Sequence, residues 1–501
     1  MPHTRGTLRL AVFAVVTGCL VVTVAGQGSR VPVPKATEMP VTAQSYPFAA
    51  ADHVMAPFDL TRAGYIEQEF LVSGTANVYD WGADRVLKVV AGSAPYTTRI
   101  LVRRPRSASA FSGAVFVEPL YTPRRWDWPM MWGYLRDGMI ARGDAWVGVT
   151  MPGANLAGLK RFNAERYAGL SFANPTPAAP CPGTDNRSDI EPGLRWDALS
   201  QVAALLKSSD SGRPLADARV GAVYLTVQAG DLETYANAIH GTARVYDGFL
   251  ARAPFNLTAI SRCAAAPAAD DPRQAVRNVG VPFVAVAGEG DLVNTYVSRR
   301  EDSDAAGDRY RLYEVAGAGH IDRFAYLGFP TMADQAAAGN AQGTAEWPFN
   351  APCTPPVQLM EESVLRSAYD VALDALDNWV RKGTVPKRAP RVETRPATGT
   401  PAFTVVTDEH GNARGGVRTP YLEVPVAKYV TSSPGPGNCP EIGHTERFDA
   451  AKLQMLYGSF DSYASKVRAS IARLSGEGWL TRADAQRLTK ELIDEERARW
   501  K

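Results

Sequence analysis

"RVGAVYLTVQAGDLETYANAIH", Arg219 to His240, passes from a short apolar segment straight into a helical pattern. The segment "GAVYLTV" is apolar at successive positions rather than at alternate ones. A strand apolar on both faces belongs inside a sheet that helices cover from either side. Its direct passage into a helix is the unit from which parallel sheets are built. Open sheets of this kind place their chemistry at the carboxyl ends of the strands. At this strand end stands Thr226, with Tyr224 and Gln228 two residues to either side.

Similar runs lie on both sides of this one. Upstream are "GAVFVEPL" from Gly113 and "AWVGVTMP" from Ala145; downstream are "YDGFLARAP" from Tyr246, "VPFVAVAGEGD" from Val281 and "YRLYEVAGAGH" from Tyr310. Before them, "YIEQEFLVSGTANVYD" and "YTTRILVRRP" carry the β-branched residues of paired strands. Strand alternating with helix predicts an α/β fold with a mostly parallel central sheet flanked by helices. The core is expected over 61–382, after an extended lead-in at 27–60 that is rich in Pro, Ala and Thr. Leu365, Ala368, Ala372, Leu376 and Trp379 share one helical stripe, with Gly383 as its C-cap. An extension over 383–501 is predicted to pack on the core. It holds a hairpin around "VVTDEHGNARGGVRTPYLEVPV" and, from Phe448, a helical pair striped by Tyr463, Val467, Ile471 and Leu474.

Composition narrows the functional classes. The 501 residues are 45% apolar and 21% charged, as in a globular protein with a sizeable core. A net charge of +2, from 54 basic and 52 acidic residues, leaves no nucleic-acid footprint. Arg5 and Arg9 precede an apolar run from Leu10 to Gly26, which reads as a secretory signal peptide over 1–26. The run is short for a membrane span, Cys19 falls inside it, and no membrane association is expected once it is removed. The protein is therefore expected to be exported, to the periplasm or beyond. Cys181, Cys263, Cys353 and Cys439 remain, an even number that predicts two disulfides, with Cys263–Cys353 the first choice because both flank the carboxyl side of the sheet. Asn186 and Asn256 open glycosylation sequons. His53, His240, His410 and His444 are too dispersed for a metal set, and there is no dinucleotide or phosphate loop. No metal or cofactor is expected.

The strand ends supply the candidate site. "VAGEGD" ends one strand with Glu289 and Asp291, and "VAGAGH" ends the next with His320. An acid and then a histidine at successive strand ends is the order in which a triad places its second and third members. The loop "VEPLYTPRRWDWPMMW" follows the strand that supplies an oxyanion-hole amide, so Leu120 or Tyr121 is one candidate donor and Val227 the other. Arg124, Arg125, Trp126, Trp128, Trp132 and Gln228 are candidates to line a substrate pocket; a simply packed loop is the alternative for the first five.

Stretches along nearly the whole chain resemble a family of exported bacterial α/β-hydrolase domain proteins. They include "GYIEQEFLVSGTANVYD", "ERYAGLS", "TYANAIH", "VPFVAVAGEGD", "RLYEVAGAGH", "ALDNWVRKGT", "DEHGNARGGVRTP" and "FDAAKLQMLYG". The resemblance implies an α/β-hydrolase fold and esterase-like activity on a small-molecule substrate. It also exposes a departure. The family's elbow has the form Gly-x-Ser-Gln-Ser, and counting back without gaps from Tyr235 puts the serine on Thr226, the glycine on Tyr224 and the second small residue on Gln228. A small gap would instead set Val227-Gln228-Ala229 against Ser-Gln-Ser and leave no nucleophile. A strained turn at positive φ is costly for a β-branched residue. Two expectations follow. One is hydrolysis of a carboxylic ester or related acyl bond, with Thr226 attacking, His320 as base and Asp291, or Glu289, orienting it. The other is a non-catalytic protein that binds an ester-like ligand and keeps the His–acid pair.

Overall fold

The runs that read as apolar on both faces form the interior of one sheet in the computed structural model of the protein. The structure describes residues 1, 31–42, 44–121, 125–228, 230–253, 256–339, 348–358, 364–399 and 401–500. Beyond Met1, the leader expected over 1–26 lies outside the described residues.

Ten strands make the sheet: β1 (Lys35–Met39), β2 (Tyr65–Trp81), β3 (Leu87–Pro105), β4 (Ala114–Pro119), β5 (Ala145–Val149), β6 (Ala222–Gln228), β7 (Gly248–Arg252), β8 (Phe283–Gly288), β9 (Ser303–Ala305) and β10 (Asp308–Val315). Their order is β1-β2-β3-β5-β4-β6-β7-β8-β10-β9. From β5 to β10 the neighbours are parallel, while β1 to β3 and the edge strand β9 run antiparallel. Every residue of β4, β5, β7 and β8 is buried, which is why these runs show no alternation. Within the lead-in, Lys35–Met39 adds to the sheet as an edge strand paired with Glu69–Ser73.

Helices close both faces. Trp196, Leu199, Val202 and Leu206 of helix Arg195–Lys207 pack on one side. On the other lie Met131, Leu135 and Met139 of helix Met130–Arg142, with the predicted stripe of helix Val364–Lys382. Burying each such large apolar side chain stabilises the fold by roughly 1.5–3 kcal/mol. Gly383 ends that last helix at φ +69°.

The extension packs into the same core through Tyr463, Val467, Ile471 and Leu474. Its hairpin forms differently from the reading. Thr394–Pro396 pairs with Phe403–Val405, and Thr407 bridges Ala413 across the predicted turn. The second arm then leaves the ribbon. Val417 bonds instead to Glu314 and Ala316 at the end of β10, and Pro420, which has no N–H to give a ladder, starts the short helix Pro420–Glu423. Among the described residues no helix is long and apolar enough to cross a membrane.

The four cysteines pair as Cys181–Cys263 and Cys353–Cys439, with Cα separations of 5.1 and 5.4 Å. The expected Cys263–Cys353 pair is thus corrected. Cys263 is claimed by the segment around Cys181, where Arg262 bonds to the carbonyls of Asn186 and Ala179 at 2.9 and 3.2 Å. Cys353 lies instead against Ile321, Cys439 and Ile442, beside a bond from the Thr354 amide to the Pro434 carbonyl.

Candidate active site

β8 and β10 are parallel neighbours in register, Gly288 opposite Val315, so the turns that leave them meet. Asp291 lies in the turn after β8 and His320 in the loop after β10. Asp291 Oδ1 and His320 Nδ1 are 2.5 Å apart, and Asp291 Oδ2 accepts the Gly288 amide at 2.6 Å. A Cβ on Gly290 would stand 2.9 Å from the His320 nitrogen, so this close meeting of the two turns requires glycine there. Asp291 is fully buried and His320 nearly so. Burial opposes the Asp291 carboxylate, yet the charge and bond of His320, with the nearby Arg252, outweigh it and hold the carboxyl below its usual range. Glu289 turns the other way. Its carboxylate accepts the Gly317 amide at 2.8 Å and the Thr431 hydroxyl at 3.4 Å, and the acid bonded to the imidazole is Asp291.

The strand opposite is less obliging. β6 runs on through Thr226 to Gln228, with Thr226, Val227 and Gln228 paired to Leu250, Ala251 and Arg252 of β7. The ladder therefore continues past Thr226, and the helix begins only at Asp231. Thr226 sits inside the strand, fully buried, and its hydroxyl has no hydrogen-bond partner among the described residues. The ungapped count sets the elbow at Thr226, but the strand runs on to Gln228 and the helix begins at Asp231. β-Branched Thr226 and Val227 favour extended backbone, which keeps them in the ladder. Tyr224 donates its hydroxyl to Asp377 at 2.7 Å and packs against Phe116, a structural role for a position where an elbow needs a small residue.

Two of the three proposed oxyanion donors are also engaged. The Leu120 amide bonds to the Val149 carbonyl at 2.8 Å and the Tyr121 amide to the Trp128 carbonyl at 3.1 Å. Trp126 and Trp128 are buried against Phe329, and Trp128 Nε1 donates to the Ala325 carbonyl, so both rings anchor the loop rather than line an open pocket. Trp132 is buried beneath Arg103, and Arg125 is exposed at φ +66°. Arg124 lies outside the described residues.

Sequence reading missed what fixes this loop. Buried Asp127 accepts from Thr150 Oγ1 at 2.5 Å, Asn155 Nδ2 at 2.6 Å and Arg99 at 3.3 Å, and Arg99 pairs with buried Glu69 at 2.7 Å. Glu118, at the end of β4, accepts the Met131 and Trp132 amides at a helix N-terminus and Trp146 Nε1, while burial pushes its carboxyl up to about 7. Also missed was Arg252, the lone charge ending an apolar run, a signal that was present in "FLARAP". Its Nη2 donates to the His320 carbonyl and, at 3.3 Å, to the Tyr134 hydroxyl. Among the described residues, no group of three or more His, Cys, Asp or Glu is placed to hold a metal ion.

A mostly parallel sheet with an acid after one strand and its histidine after the neighbouring strand, the last parallel one in the chain, defines the α/β-hydrolase class. The chain belongs to the Alpha/beta hydrolase domain family, whose family model matches residues 31–490. Among solved structures it is similar to a glucuronoyl esterase from Solibacter usitatus, at 9% identity over 63% of this chain and 88% of that one, with a TM-score of 0.30. It is also similar to esterase Est22, at 13% identity over 55% and 79%, TM-score 0.28. An alpha-beta serine hydrolase homologue from Coxiella burnetii matches at 8% identity over 49% and 92%, TM-score 0.27. A search of curated proteins finds no match.

Proposed function

We propose that the protein is an exported hydrolase of a carboxylic ester or related acyl bond in which His320, held by Asp291, is the general base for a water molecule rather than for a side-chain hydroxyl. The observation that carries this reading is the buried 2.5 Å contact between His320 Nδ1 and Asp291. A carboxylate at Nδ1 leaves Nε2 as the proton-accepting atom and stabilises the imidazolium formed when it accepts. The water oxygen forms the new bond to the carbonyl carbon as its proton passes to Nε2. The imidazolium returns that proton to the departing alkoxide as the ester C–O bond breaks. The products are a carboxylic acid and an alcohol, and nothing becomes attached to the chain. Thr226 is left out because its hydroxyl is enclosed within β6. Support for export comes from the leader over 1–26 and from two disulfides, which persist in oxidising compartments.

A second reading, a ligand-binding protein that keeps the pair without turnover, is favoured by the engaged Leu120 and Tyr121 amides. Turnover of short-chain nitrophenyl esters by the unsubstituted chain, His320→Ala, Asp291→Asn and Thr226→Val separates the two. The hydrolase reading expects a loss of about 10²–10⁴-fold without His320, unchanged turnover in Thr226→Val, and no acylated chain by mass spectrometry after rapid quenching. An acyl adduct that disappears with turnover in a folded Thr226→Val would return the attack to that residue. Turnover equal to that of His320→Ala would favour the binding protein.

A further inference from the structure

We infer that Arg252 is a positioning residue of the His320–Asp291 pair, fixing the His320 main chain through its Nη2 and setting the pair's charge state through its own buried charge. This rests on the pair being the working part of the site. Arg252 is the last residue of β7, between β6, whose end carries the helix turn, and β8, whose turn carries Asp291. The side chain is 1% exposed, a depth at which arginine is almost always bonded to a carboxylate. Among the described residues none is bonded to it. Nη2 donates to the His320 carbonyl and the Tyr134 hydroxyl, the guanidinium carbon lies 5.0 Å from the centre of the Tyr134 ring, and Nε and Nη1 have no hydrogen-bond partner among the described residues. A buried charge held this way needs an explanation.

The surroundings supply one. The titratable groups that act on the guanidinium are Tyr134 from helix Met130–Arg142, Tyr369 from helix Val364–Lys382, Asp291 from the turn after β8 and Asp322 at the start of helix Arg323–Leu327. Asp322 is itself occupied, accepting the Tyr134 hydroxyl at 2.8 Å and the Phe324 and Ala325 amides. The field of Arg252 falls on both Asp322 and Asp291, and through Asp291 on the imidazole. It favours the ionised carboxylate and opposes an added proton on the pair, while the bond to the His320 carbonyl keeps the ring in line with Asp291.

Arg252→Gln keeps a donor for the His320 carbonyl and removes the charge; Arg252→Lys keeps the charge. The His320 ring is followed by NMR in histidine-labelled chain, its signals assigned by their loss in His320→Gln, and kcat/KM is followed against pH. Removing a positive charge favours the protonated pair, so the pair's titration midpoint and the acid limb of the profile both rise in Arg252→Gln, by about one pH unit. In Arg252→Lys both return to the unsubstituted value. In the unsubstituted chain the Arg252 Nε signal titrates with the ring, a readout that needs no substitution to fold. A folded Arg252→Gln with an unmoved midpoint, or an Arg252 signal indifferent to the ring's titration, overturns the assignment. If the chain hydrolyses no ester, the proposed activity fails but the ring titration still decides the role of Arg252.

Discussion

The carbonyl oxygen of Asn256 stands 1.8 Å from the point that a Cβ on Gly230 would occupy. The obstacle is backbone, so it cannot swing aside, and the turn after β6 closes only because this position has no side chain. Gly230→Ala is expected to destabilise the fold by about 2–3 kcal/mol. Gly241, later on the same helical run, has nothing within 4 Å of such an atom. Gly241→Ala should therefore stabilise by about 0.5–1 kcal/mol. Urea titration of both variants reads the difference, and equal effects would contradict the close approach.

Thr226→Val removes a buried hydroxyl that has no partner and keeps the branched shape that suits the strand. Leaving such a group unsatisfied costs about 1–3 kcal/mol, so the variant is expected to be more stable by part of that amount. A fall in stability would show that the hydroxyl is bonded in solution.

Peptide mapping of unreduced protein should recover Cys181 linked to Cys263 and Cys353 linked to Cys439, and no Cys263–Cys353 species. The bridges span sequence separations of 82 and 86 residues. Chain-entropy arguments put the loss on removing either at up to about 4 kcal/mol. Paired Cys→Ala substitutions followed by thermal unfolding test this.

His240 is buried edge-on against Phe249, and burial lowers its ring to about 4, with Arg244 and Lys207 adding to the effect. The unfolded chain takes up a proton at this residue below about pH 6.5 and the folded chain resists it. Its contribution is thus complete above pH 6.5 and is lost as pH falls towards 4, by up to about 3 kcal/mol. His240→Phe should flatten the stability curve in that window. An unchanged slope between pH 6.5 and 4 would count against a neutral buried ring.

The interior strands and the acid–histidine order were legible because both are local signals: unbroken apolar runs, and glycines followed by Asp291 or His320 at their ends. The partner of His320 was legible only as a choice between Glu289 and Asp291, since which of two turn residues points at a neighbouring turn depends on the tertiary approach of Gly290. The position of the β6 turn was not fixed by counting from Tyr235, because how far Thr226 to Gln228 stay in the ladder depends on β7. The Asp127–Arg99–Glu69 network was invisible for a similar reason. Its members come from distant segments, and each looked like an ordinary charged residue until the fold made it buried.

The Cys181–Cys263 bridge also changes what a protease can do to this molecule. Residues 182–187 are exposed, lie just inside the bridge and are the sort of stretch a protease nicks first. A single cut there opens the polypeptide without dividing it, because the sulfurs hold the two pieces to each other on either side of β6 and β7. Nicked and intact protein should then run as one species until a reductant is added, when two fragments appear. In surroundings where proteases are common and thiols scarce, the first cleavage would be a scar rather than a loss.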